Sequence, residues 1–266
     1  MYRRALAVSA VAIALSTVAM SPMFAAASAA TPSIVTIAQV QGSGATTPLF
    51  GQTVTVHGVV TAVLPGLGGV YLQSASSSGI AGASDGIFVA MRESSFSVGD
   101  LVGVTGEAGE KASQTQIVAT SVSVIQAAAG LPAATPLPDS VVGAARESYE
   151  GMLVTPSGPY YLDSIDNREG SLVLSAGSKT ADAATRLILD DGTAGAVTTQ
   201  PFLGADTVIR PGDTLVAPQK ALVLGAGASG YRLEPTIPLV ASSDLSYKPK
   251  FTAASPRLGD APVLAP

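Results

Sequence analysis

The feature that most constrains this chain is a period of two that runs through nearly all of it. In "TVTVHGVVTAV" the valines Val54 and Val56 alternate with Thr53, Thr55 and His57, and "GVYLQS", "GIFVAM", "LVGVTGEA" and "QIVATSVSVI" follow with Gly, Ser and Asp between them. Successive side chains on a strand point to opposite faces, so short alternating runs broken by turn residues specify strands. No stretch sustains a long helical period. The nearest, "SIVTIAQVQG", sets Ile34, Ile37 and Val40 three apart with Gly42 after them, and suits a short helix and a strand equally. The chain is therefore expected to be all-β. It contains no cysteine, so burial rather than disulfides must hold it together.

Both ends depart from this pattern. Arg3 and Arg4 precede an apolar run from Ala5 to Ala19, and "AAASAA" offers a small-x-small site at Ala27-Ser28-Ala29. Residues 1–29 thus read as an export signal cleaved near Ala29. The run falls short of the roughly 20 apolar residues of a membrane span, so the mature chain is expected outside the cell with no transmembrane anchor. The arginine pair leaves general and twin-arginine export both open. At the other end, "KPKFTAASPRLGDAPVLAP" has no period, and residues 246–266 are expected to be a disordered tail.

Between these ends, "QAAAGLPAATPLPDS" (Gln126 to Ser140) interrupts the strands with three prolines. Proline fixes φ and removes a backbone donor, so this is expected to be an extended connector and not a central strand. The reading is a first β domain over 33–126, a linker over 127–145 and a second β domain over 146–245. The second repeats the order of the first: "GQTVTVHGVVTAV" matches "YEGMLVTPSGPYYL", "SDGIFVAM" matches "TRLILDDGT", "VGDLVGVTGEA" matches "PGDTLVAPQKALV", and "QTQIVATSVSVI" matches "GYRLEPTIPLVA". Gly99-Asp100 and Gly212-Asp213 are expected to form the same turn, glycine supplying a positive φ and the carboxylate accepting from nearby amides. About five strands in this order, closed as a Greek key, make an OB-fold. The expected fold is two tandem OB-fold-like barrels, with a β-sandwich as the alternative.

In order and spacing, "GQTVTVHGVVTAV…GGVYLQS…SDGIFVAM…VGDLVGVTGEAGE…TQI" resembles the OB-like module that precedes the catalytic domain in large secreted bacterial nucleases of the endonuclease/exonuclease/phosphatase superfamily. "YEGMLVT", "LILDDGT", "RPGDTL" and "YRLEPT" resemble the segment that follows it there, so the likeness spans Val35 to Ala241. The resemblance implies an accessory, nucleic-acid-binding role. It also implies that the catalysis of that family, which uses Asp, Glu, Asn, paired histidines and a divalent metal, belongs to a domain beginning about where this chain ends.

The residues agree with a non-enzyme. His57 is the one histidine in the chain and lies on the polar side of an alternating strand, so no histidine pair and no Ser-His-Asp arrangement with a G-x-S-x-G elbow can be assembled. Asp190 and Asp191 are the best carboxylate pair. Followed by Gly192, they read as a turn, with calcium ligation the competing role; Asp85 in "GASDGIF" also reads as a turn. No cofactor is expected, and a divalent cation has only that pair to bind.

A nucleic-acid-binding OB barrel needs aromatic stacking platforms beside a cationic groove. The candidates are Tyr71, Arg92, Tyr161, Arg186, Tyr231 and Arg232, with Phe88 and Tyr160 also in view; Tyr71 and Phe88 sit among apolar neighbours, as core residues do. The formal charge is −5, more negative still once Arg3 and Arg4 leave, which excludes strong long-range attraction to phosphate backbones. The expected function is non-catalytic binding of extracellular single-stranded nucleic acid or a protein partner. The alternatives are a fragment of a metal-dependent nuclease acting with a separate catalytic domain, and a structural or adhesive envelope module.

Overall fold

The computed structural model describes residues 33–92, 95–166, 171–193, 209–216, 220–239 and 250–253. The expected export signal lies outside them, as does most of the expected tail. Among the described residues, no helix is long and apolar enough to cross a membrane.

The first sheet contains β1 (Ser33–Ile34), β2 (Thr53–Leu64), β3 (Gly69–Gln73), β4 (Gly86–Ala90), β5 (Leu101–Lys111) and β6 (Gln114–Gln126). Its ladders run β2-β3-β4-β6-β5 and return from β5 to β2, with β4 and β6 parallel and the other pairs of this ring antiparallel. A closed five-stranded ring in this order is an OB barrel, which excludes the open sandwich. Alternation on β2 sends Val54 and Val56 into a core with Val60, Leu72, Ile87, Val102, Val104 and Ile117, while Thr53 and His57 stay exposed. The ambiguous segment before β2 divides: Ser33–Ile34 is a strand and Ile37–Gln41 is a helix, α1, that places Ile37 and Val40 in this core. A capping box stops the strand and starts the helix, since Thr36 Oγ1 accepts from Gln39 N at 3.1 Å and Gln39 Oε1 accepts from Thr36 N at 2.9 Å.

The second sheet repeats the ring with interruptions. It contains β7 (Thr135–Pro138), β8 (Leu153–Ser157), β9 (Tyr160–Asp166), β10 (Ser171–Ala176), β11 (Arg186–Leu189), β12 (Thr214–Val216), β13 (Leu222–Gly225), β14 (Arg232–Glu234) and β15 (Lys250–Thr252). β8 and β9 together occupy the place of β2, and β12 and β13 that of β5. The ladders β9-β10-β11-β14-β13-β8 and β9-β12 then restore the same closed order, again with one parallel pair, β11 and β14. Tyr160, Leu162, Leu172, Leu174, Leu187, Leu222, Leu224 and Leu233 fill this second core.

The repeated Gly-Asp phrase forms one turn twice. Gly99 N donates to Val60 O and Val60 N to Asp100 O, both at 2.8 Å; in the second barrel Gly212 N donates to Leu162 O at 2.6 Å and Leu162 N to Asp213 O at 2.8 Å. The glycines have φ of 96° and 90°, a region that L side chains rarely enter. Asp100 Oδ2 accepts from Ser97 N at 2.9 Å and Asp213 Oδ2 from Arg210 N at 3.0 Å. Each turn thus ties the start of the fourth strand of the ring to the middle of the first.

Two segments differ from expectation. Within the stretch read as a linker, Thr135–Pro138 pairs in parallel with β8, and Gly143–Tyr149 forms a 3-10 helix. β7 lies at the edge of its sheet, the one place where Pro136 and Pro138 cost no needed ladder bond. Within the stretch read as a disordered tail, Lys250–Thr252 pairs with β12, Phe251 opposite Leu215 and packed against the second core.

The barrels meet along a tight seam. Ala62, Leu64, Tyr71 and Phe88 of the first pack with Leu153 and Val223 of the second in one apolar cluster. Gly86 and Gly151 are in backbone contact; a Cβ on Gly86 would stand 2.1 Å from the Gly151 carbonyl carbon. Polar bonds complete the seam: Leu153 N donates to Gln73 Oε1 at 2.7 Å, Thr115 N to Glu150 Oε1 at 2.8 Å and Val63 N to Thr236 O at 3.0 Å.

Candidate nucleic-acid interface

OB barrels bind oligonucleotides mainly across the outer face of their second and third strands. In the first barrel these are β3 and β4, where Tyr71 stands opposite Phe88 on the same side of the sheet. That side is the seam. Tyr71 is 2 % exposed, meets Phe88 edge to face with ring centroids 5.0 Å apart, and accepts from Gln114 Nε2 at 2.8 Å. A ring buried this way has no open face for a base, so Tyr71 is corrected from candidate platform to seam residue, together with Phe88. Burial holds the Tyr71 hydroxyl well above its ordinary pKa.

In the second barrel the corresponding strands are β10 and β11. Leu162, Leu174 and Leu187 form a cross-strand row that faces the core. The next row, Tyr161, Ser175 and Arg186, must face outward, because each is one residue along its strand from a core residue. Arg186 is exposed and Tyr161 half-buried. Ser175, between them, is buried, and its Oγ donates to Thr180 O at 3.1 Å. A second outward row carries Val173, Ile188 and, through the parallel ladder, Arg232. Val173 and Ile188 are buried, so this face is accessible at the Tyr161 and Arg186 ends of its row and covered in the middle.

The remaining candidates have partners or lie elsewhere. Tyr160 is a core residue that donates its hydroxyl to Leu137 O at 3.1 Å. The Tyr231 hydroxyl donates to Glu147 Oε2 at 2.6 Å, and burial together with that bond pushes its pKa up. Arg232 pairs with Asp190 Oδ2 at 2.8 Å, so its charge is offset at once. Arg92 is exposed and belongs to the first barrel, just past the end of β4. His57 is exposed on β2, and Asp85 is buried and accepts from Ser78 N at 3.0 Å, closing its own loop.

Three of the four carboxylate oxygens of Asp190 and Asp191 are engaged by a turn and an ion pair. Asp190 Oδ1 accepts from Gly192 N at 3.0 Å while its other oxygen holds Arg232; Asp191 Oδ1 accepts from Thr193 N at 2.8 Å and Thr193 Oγ1 at 2.7 Å. The two carboxylates serve one turn at Gly192, whose φ is 74°. Among the described residues, no group of three or more His, Cys, Asp or Glu could hold a metal ion.

The seam also holds acids that the sequence did not single out. Glu150 is 1 % exposed and its pKa is raised to about 8, by burial first and then by Glu147. Glu234 is equally buried and held well above the ordinary carboxylate range by burial and by Asp190. Nothing in "SYEGMLV" or "YRLEPT" marks these glutamates as buried, because the elements that cover them come from the other barrel or from distant strands.

No family model matches the sequence, and no curated protein matches it significantly. Among solved structures it is similar to the p204 HINb domain, at 12 % identity over 74 % of this chain and 95 % of that one, with a TM-score of 0.28. It is similar to a chain from work described as "Molecular basis for abrogation of activation of pro-inflammatory cytokines", at 12 % identity over 77 % and 94 %, with a TM-score of 0.27. A murine DNA binding protein bound with double-stranded DNA gives 11 % identity over 69 % and 84 %, with a TM-score of 0.23. Likenesses this loose carry no argument about this chain, whose architecture rests on its own ladders.

Proposed function

We propose that this chain is an exported, non-catalytic pair of OB barrels that binds single-stranded nucleic acid across the outer face of β9, β10 and β11. The supporting observation is the cross-strand row Tyr161-Ser175-Arg186, which sets an aromatic ring and a cation on the face that OB barrels use for oligonucleotides. A stacked base on tyrosine contributes roughly 1–3 kcal/mol and is tolerant of sequence. With so few cations, the salt dependence is shallow: each phosphate neutralised contributes a slope of about 0.7 on single strands. The resemblance to nuclease accessory modules supports the same ligand, with catalysis left to a separate domain.

The test is fluorescence anisotropy of a labelled single-stranded oligonucleotide with the mature protein at low salt. Saturable binding, weakened about tenfold by Arg186→Ala or Tyr161→Ala, supports the reading; no binding, or binding indifferent to both changes, overturns it. A structural or adhesive envelope role is the second reading, favoured by the burial of Val173, Ser175 and Ile188 on that same face. Hydrolysis of plasmid DNA by the purified protein with Mg²⁺, abolished by EDTA, would defeat both.

A further inference from the structure

The first barrel has a feature that its OB topology does not require. β6 runs from Gln114 to Gln126, but β4 pairs with it only at Gln116, Ile117 and Val118. Beyond Val118 the ladder continues on one side alone, to β5, as far as Leu101 opposite Gln126. The other edge of "ATSVSVIQ" (Ala119 to Gln126) is laddered to no described strand. A free edge offers a row of backbone donors and acceptors to any extended chain, and proteins usually blunt one with charges or proline. This edge has neither, and Val118, Val124 and Ile125 beside it are 50 %, 48 % and 49 % exposed.

The edge is also walled. A groove of about 890 Å³ runs along it, with Val118, Val122 and Val124 on the strand side and Met91, Arg92 and Phe96 opposite. The wall decides the occupant. A second copy would bring its own β6 already flanked by β5 and by the same wall, whereas a lone extended segment has two free edges and can enter. Charge decides the direction. Arg92 is the one charged side chain among the described residues lining the groove, and it lies two residues past the Ala90–Val118 pair, at the Val118 end. A peptide antiparallel to β6 brings its carboxyl end to Arg92; a parallel one brings its ammonium end to the same cation.

We propose that this groove binds an extended peptide by strand addition, antiparallel to the free edge of β6, with alternate small apolar side chains toward Val122 and Val124 and a carboxylate at Arg92. Backbone bonding supplies affinity and the alternating side chains supply selectivity. The carboxylate comes from a free C-terminus or from an acidic side chain. The site is separate from the proposed nucleic-acid face and does not rest on it.

The test uses the mature protein and fluorescein-labelled Thr-Val-Thr-Val-Thr-Val with a free C-terminus. Its C-terminal amide, the amide ending in aspartate, and a version N-methylated at alternate residues complete the set. The expected result is saturable binding of the acid, about tenfold weaker binding of the plain amide and of the acid to Arg92→Ala, and none of the N-methylated peptide. Recovery of affinity by the aspartate amide assigns the carboxylate to a side chain as well as to a terminus. Val124→Lys, at an exposed position, should block binding while leaving the melting temperature within about 2 °C. No binding of the acid at millimolar concentration overturns the proposal. So does equal binding of the N-methylated peptide, displacement by a single-stranded oligonucleotide, or a concentration-dependent dimer that protects the β6 amides.

Discussion

The two barrels share a ring order and a turn, yet put the same face to opposite uses. In the first, the outer face of β3 and β4 carries Tyr71 and Phe88 into the seam. In the second, the equivalent face carries Arg186 of β11 outward, in a row that continues across β10 to Tyr161 of β9. The difference begins in the strands. β2 is continuous over twelve residues, whereas its counterpart breaks between β8 and β9 at Gly158-Pro159; Leu153 of β8 serves the seam, while Val154 of β8 and Tyr160 and Leu162 of β9 serve the second core. A fold repeat therefore conserves the path of the backbone, while the outward residues of each copy decide whether a face joins its neighbour or meets solvent.

The largest expected break in this comparison is between two tyrosines. Tyr71→Ala removes a fully buried ring and should cost about 3–5 kcal/mol in urea unfolding, whereas Tyr161→Ala should cost about 1 kcal/mol or less. Equal costs would erase the distinction between a face used for packing and a face turned outward.

The next effect is on pH. Glu150 has a folded pKa of about 8 against an ordinary 4.5, and Glu234, Glu147 and Asp190 are shifted in the same direction, burial being the first cause in each. The folded state therefore holds more protons than the unfolded one between about pH 4.5 and 8, and stability must fall as pH rises through that window. Asp100 and Asp182, lowered by backbone amides, act the other way, losing their contribution only as pH falls below the ordinary carboxylate value. The melting temperature should be higher near pH 5 than near pH 8 by several degrees, and Glu150→Gln should flatten that slope. A profile that rises toward pH 8 would mean that the seam carboxylates are solvated.

The smallest effect compares the two Gly-Asp turns. Asp100→Ala and Asp213→Ala each remove acceptors of backbone amides and should cost about 1 kcal/mol in thermal unfolding, Asp213 the more because it is buried and Asp100 is half-exposed. A negligible cost at both would reduce the repeated phrase to its glycines.

Much of the ring was legible because burial of one face imposes alternation, and turns need Gly and Asp where φ is positive. Val54 and Val56 against Thr53 and His57, and Gly99-Asp100 against Gly212-Asp213, are direct readings of that physics. The site was less legible. Adjacent residues such as Tyr160 and Tyr161 must face opposite ways, but which one faces in depends on a partner strand. The runs "GVYLQ" and "GIFVA" did carry the missing signal: they are buried nearly throughout, as strands covered on both faces are, and that marks the seam. The pairing of Arg232 with Asp190, and the overhang of β6 past β4, depend on contacts between distant segments that no local pattern records.

The most direct test of the account is amide hydrogen exchange of the mature protein with and without a saturating single-stranded oligonucleotide. The account predicts added protection in β9, β10 and β11 around Tyr161, Ser175 and Arg186, with β3 and β4 already protected and unchanged. Added protection confined to β3 and β4, or none in either barrel, would contradict it.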